Sequence, residues 1–151
     1  MTNLSVHFTY EELTRSSYAI RAGIDNTPPA NLLPNLALLA SGLERVRAVL
    51  AMPIHVDSGY RCPAVNAGVG GKLQPPSEHT LGLAADIICP AFGTPHQMAE
   101  ALIAHQADVR FSKLIQEGDW LHVAFVPDGP QGQVLTAHFG LGPVNYTLGL
   151  T

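Results

Sequence analysis

Two imidazoles and one carboxylate carry the chemistry in this chain of 151 residues. His79 and Asp86 stand seven positions apart in "SEHTLGLAADI" (77–87), and His122 lies in "DWLHVAF" (119–125). The acid follows Gly82, Leu83, Ala84 and Ala85, an apolar approach to an expected buried strand. A buried carboxylate without a partner is costly, so Asp86 needs a base, a backbone cap or a metal ion. Two histidines and a carboxylate with a free fourth position form a catalytic zinc pattern. Water in that position would have its pKa lowered towards neutrality. On spacing alone, a buried cluster paired by hydrogen bonds competes with this reading. The other histidines carry less: His7, His96, His105 and His138 are expected to be solvated, and His55 to alternate with apolar residues on a strand.

These side chains depend on the elements around them. "FTYEELTRSSYAIRAG" (8–23) is expected as a helix, with Thr9 and Glu12 at capping-box spacing and Phe8 and Leu13 at staple positions. "IDNTPPANLLP" (24–34) is a turn-rich connection. Leu36, Leu39, Leu43, Val46 and Leu50 then recur at spacings of three and four, one apolar stripe of a helix over 35–52. "PIHVDSGY" (53–60) alternates as a short strand, and 61–80 is loop with one helical turn after Pro63. Pro75 and Pro76 are expected to stiffen the approach to His79. "LGLAADIICP" (81–90) is an apolar strand ended by Pro90. Thr94, Pro95 and Gln97 fit N-cap, N1 and N3 of a helix over 95–107. "KLIQEG" and "WLHVAFV" form strands split by Gly118 and Asp119 as in a tight hairpin, and the Gly- and Pro-rich tail from Pro127 holds one strand at "QVLTAHF". The order predicts an α+β fold in a single domain over 1–151, a small, mainly antiparallel sheet with helices packed on it.

Composition narrows the function. Apolar residues make up 46% and charged residues 13%, which excludes a disordered chain. A net charge of −4 and scattered Lys and Arg argue against nucleic acid or an anionic membrane as partner. No window is long and apolar enough to span a bilayer, and "MTNLSVHFTYEEL" lacks the pattern of a secretory signal, so cytoplasmic synthesis is expected. Cys62 and Cys89 read as small buried thiols or as one bridge between neighbouring strands. Oligomeric state is not legible here; a monomer is favoured.

"SGYRCPAVNAGVGG", "SEHTLGLAAD" and "DWLHV" together resemble the zinc D-Ala-D-Ala carboxypeptidase family of cell-wall peptidases, which includes phage L-alanyl-D-glutamate endolysins. The family's S-x-H-x-x-G-x-A-x-D motif is matched by Ser77, His79, Gly82, Ala84 and Asp86. Its third ligand lies on a later strand with an acid three positions before it, here His122 and Asp119. "FTYEELTRSSYAIRAGIDNTPPANLLPNL" (8–36) is similar to compact phage and prophage members, so the likeness covers about 6–126 and leaves out the tail, 127–151.

The resemblance implies that His79, Asp86 and His122 hold Zn2+, and that Asp119 is the general base. It implies that Arg61 grips a substrate carboxylate or polarises the scissile carbonyl, and that Ser77 bonds substrate or caps its loop. Glu117 is a rival base, facing the same cleft if 113–117 is a strand. The implied activity is zinc-dependent hydrolysis of amide bonds in peptidoglycan stem peptides, of carboxypeptidase or endopeptidase type. The implied setting is phage lysis, with the enzyme acting at the wall after a partner opens the membrane. The alternative is a non-catalytic zinc module of a phage particle on the same fold.

Overall fold

The computed structural model describes residues 2–71 and 76–151, so Pro75 lies outside the described residues. The expected first helix is two short ones, α1 (Tyr10–Thr14) and α2 (Ser17–Ala22). Thr9 Oγ1 accepts the Glu12 N–H and caps α1, as its spacing predicts. Arg15 is extended, and Ser16 starts a new helix by accepting the Ala19 N–H. The break is fixed from outside the segment, because the Asn26 side-chain amide donates to the carbonyls of Thr14 and Tyr60.

α3 (Leu33–Leu50) is the central helix, and its predicted stripe of Leu36, Leu39, Leu43, Val46 and Leu50 is buried. After β1 (His55–Ser58) come α4 (Pro63–Gly68), a 3-10 turn at Glu78–Leu81 and β2 (Ala84–Ile88). α5 (Pro95–Ala104) carries both halves of the Thr94–Gln97 capping box. The expected helix over 95–107 is interrupted at His105, and α6 (Gln106–Val109) follows. β3 (Lys113–Gln116) and β4 (Leu121–Ala124) form the predicted hairpin, closed by the Glu117 N–H donating to the Trp120 carbonyl. The tail holds two strands where one was expected, β5 (Gln133–His138) and β6 (Asn145–Leu148).

The six strands make one sheet in the order β1-β2-β4-β3-β5-β6, antiparallel except for the β3–β5 pair. The architecture is the α+β fold expected, a mostly antiparallel sheet with helices packed on it. Strand alternation divides the work between the faces. Ala85, Ile87, Leu114, Leu121 and Val123 join the α3 and α5 side chains in the apolar core. Asp86, Ile115 and His122 alternate with them and occupy the other face, in register with one another. Cys62 and Cys89 are both free thiols, and Cys89 is buried with its Sγ–H on the Pro53 carbonyl. Among the described residues no helix is long and apolar enough to cross a membrane.

Candidate metal centre

β2 and β4 run antiparallel with Asp86 directly opposite His122. The third member comes from the 3-10 turn. Ser77 Oγ accepts the His79 N–H at its start, and Gly82 ends it at φ +71°, a left-handed conformation that suits glycine. His79 Nε2 lies 3.2 Å from Asp86 Oδ1, and His122 Nδ1 lies 3.3 Å from the same oxygen. The two rings meet edge to face, with centroids 5.0 Å apart. One ligand atom from each residue lies within 4.8 Å of the others, so the group could hold a metal ion.

The donor set can be tested against the competing hydrogen-bonded cluster. His79 is 2% exposed, and its Nδ1 is 2.7 Å from the Gly59 carbonyl, which can only accept. The proton is therefore on Nδ1. Burial pushes the His79 pKa down against the pull of Asp86, which favours the neutral ring. Neutral His79 then aims an Nε2 lone pair at a carboxylate oxygen, an arrangement a cation between them would relieve. Two ligands about 2.1 Å from a tetrahedral ion sit roughly 3.4 Å apart, close to both separations seen here. Burial would raise Asp86, but the imidazoles, when protonated, outweigh it and hold the carboxyl well below the usual range; with His79 neutral, a cation shared by the three would favour the same anion. The residues fit a divalent metal. The Gly59 carbonyl acts as the outer partner that orients a histidine ligand. It comes close because Gly59 has no Cβ, which would meet the Leu13 carbonyl oxygen at 2.4 Å.

The three residues lie at the edge of a cavity of about 460 Å³. Arg61 faces it, with Nη1 3.8 Å from Asp86 Oδ2 and a buried Nε that has no hydrogen-bond partner among the described residues. Burial lowers the Arg61 pKa against the opposing pull of Asp86 and Glu117. Glu117 lines the cavity, with Oε1 3.9 Å from His122 Nδ1. Burial raises its pKa, His122 opposes the rise and Asp86 adds to it. Asp119, by contrast, is exposed in the hairpin turn and is not part of the cavity wall. Ser77 and Pro76 also line the cavity. The remaining histidines lie outside, and His55, His96 and His105 form exposed pairs with Asp57, Glu100 and Asp108.

Four contributors went unnoticed in the sequence. Lys113 and Glu78 form an ion pair on the cavity wall. Leu135 and Tyr146, from the two tail strands, complete the wall. No local motif marks either, because only the pairing of β5 on β3 and β6 on β5 brings them there.

A family model described as Peptidase M15 matches residues 6–124. The chain belongs to this family of metallopeptidases, the zinc D-Ala-D-Ala carboxypeptidase type that its motifs resemble. No curated protein matches it by sequence.

Proposed function

We propose that the protein is a zinc-dependent peptidase, one catalytic domain over 1–151, that hydrolyses amide bonds in the peptide stems of bacterial cell wall. The observation that carries this reading is the His79–Asp86–His122 cluster with Glu117 beside it, at the edge of a cavity in an M15 chain. His79, Asp86 and His122 would hold the ion. Zinc in such a site supplies Lewis acidity, making water acidic near neutral pH and polarising a carbonyl.

The chain's own groups do the rest. Glu117 takes a proton from the attacking water, and the oxygen adds to the scissile carbonyl carbon. The C–N bond then breaks and Glu117 delivers the proton to the departing amine, leaving a carboxylate and an amine. Its raised pKa suits both halves of that transfer. We assign the base to Glu117 and not to Asp119, because Glu117 lines the cavity and Asp119 points into solvent. Arg61 supplies a fixed positive charge for the oxygen that becomes negative during attack. Ser77 serves as the cap that presents His79.

Terminal D-Ala-D-Ala and internal L-Ala-D-Glu are the two bonds the family resemblance offers. The similarity of 8–36 to compact phage members supports a lysis role at the wall after release from the cytoplasm. Incubating zinc-loaded protein with purified wall peptides and weighing the fragments tests the assignment and names the bond. Uncut peptides with zinc still bound would favour the non-catalytic module.

A further inference from the structure

The metal residues belong to a longer line across the sheet. Register places Asp86 opposite His122, His122 opposite Ile115, Ile115 opposite Leu135, and Leu135 opposite Leu148. All five lie on the face away from the helical core. Beyond the ligands the line is aliphatic and carries no charge. β3, β5 and β6 continue it for roughly 14 Å past β4, at about 4.8 Å per strand. An extended peptide advances about 3.3 Å per residue, so about four residues fit along it.

Two of these strands come from outside the stretch the family model matches, 6–124. Leu135 and Tyr146 nevertheless wall the metal cavity itself. Tyr146 pairs with Ala137 and shares the face of Leu148 two residues on. Tyr146 is 46% exposed and Leu148 is 79% exposed, apolar groups left open beside a catalytic cavity.

We propose that the β5–β6 hairpin is a substrate-binding floor, and that Tyr146, Leu135 and Leu148 set the enzyme's preference for peptides continuing several residues to one side of the cut bond. The inference rests on the peptidase reading above. Continuity decides the occupant: a peptide with its reacting carbonyl near His122 has its next residues over Ile115, Leu135 and Leu148. Aliphatic side chains would lie on the leucines, and the Tyr146 hydroxyl would donate to a peptide carbonyl. Tyr146 touches substrate in this scheme but takes no part in bond breaking.

The test uses the zinc-loaded protein and stem peptides trimmed one residue at a time from either end. Tyr146→Ala and Leu148→Ser alter exposed positions and should leave zinc content and melting temperature as in the wild type. Tyr146→Ala should lower kcat/KM on the longest peptide roughly tenfold, through KM, the scale of one aromatic contact. That loss should shrink as the peptide is trimmed from one end only. Tyr146→Phe should recover the part of the loss due to ring contact and not the part due to the hydroxyl. Equal rates for wild type and variants on the longest peptide would overturn the proposal, as would a loss independent of length. A change in sedimentation with unchanged kinetics would assign the patch to self-association and overturn it too. Should the wild type cut nothing, the peptidase reading fails by itself. Calorimetric binding of the same peptides then decides the hairpin: weaker binding of long peptides by Tyr146→Ala supports the floor, and identical binding removes it.

Discussion

Exchanging each of two carboxylates for its neutral amide separates the possible bases. Glu117→Gln keeps size and hydrogen-bonding shape while removing the ability to accept a proton from water. Its Oε1 is 3.9 Å from His122 Nδ1 and its side chain is 17% exposed, so the group acts in a poorly screened site. Loss of a positioned base costs about 10²–10⁴-fold in kcat, about 2.7–5.5 kcal/mol of barrier. Asp119 is exposed and outside the cavity wall, so Asp119→Asn changes only a screened surface charge. Its effect should stay below about 1 kcal/mol, less than about fivefold. The assay is chromatographic release of peptide fragments under saturating substrate, with zinc measured in each preparation. Glu117→Gln should retain zinc within about 10–100-fold of wild-type affinity, because it changes a neighbour of a ligand and not a ligand. An active Glu117→Gln beside an inactive, zinc-loaded Asp119→Asn would refute the assignment and return the role to the acid three residues before His122.

Other perturbations probe the metal and the frame. Asp86→Asn removes the anion that both imidazoles face, and should abolish zinc retention in equilibrium dialysis. Adding zinc to metal-free wild type should raise its melting temperature, by about 2.7 kcal/mol of stability at a hundredfold excess over Kd, and Asp86→Asn should not respond. Gly42→Ala would put a Cβ 2.5 Å from the ring of Phe125, which is 2% exposed, so overpacking of about 1–3 kcal/mol should outweigh the gain in helix propensity in urea melts. Glu44 accepts from Ser5 Oγ and the His7 N–H, tying the N-terminal segment to α3. Burial raises its pKa, but these bonds outweigh that and leave it lowered. A lowered carboxyl stabilises the fold above its unfolded pKa of about 4.3 and loses that contribution as pH falls through the folded value. Glu44→Gln should therefore cost about 1 kcal/mol near pH 7, and the difference from wild type should shrink as melts are run at progressively more acid pH.

Much of this was legible in the chain, and the gaps have physical reasons. The stripe of α3, the Thr94 capping box and the β3–β4 hairpin are local signals, and each appears where its spacing puts it. The break at Arg15 was not legible, because the Asn26 amide that fixes it lies a dozen residues on. β6 was missed since all four of its residues are exposed and its partner β5 is the main thing that makes it a strand. The choice between acids turns on strand parity. Asp119 is three residues from His122, an odd number, whereas the hairpin register pairs Ile115 with His122. Glu117 is two residues past Ile115 and so shares the His122 face.

The same parity explains how an acid can sit inside "AADII" without breaking the core. Ala85 and Ile87 are fully buried against the helices, while Ala84 and Asp86 face the other way. Ala84 pairs with Ala124, so the backbone beside the acid is covered by small side chains and the strands stay close. The run looks uniformly apolar in sequence because the face bearing Asp86 is otherwise filled by alanine and by Ile88. An apolar residue at 86 would satisfy this sheet as well as an aspartate, since the helical core never touches that side chain. The carboxylate is therefore present for what lies above the sheet, two imidazoles and the charge they would share. Asp86→Leu should fail to retain zinc and lose stability in urea only through Arg61, whose guanidinium is left without its carboxylate; adding Arg61→Met should restore the stability and not the zinc, which would separate that purpose from folding.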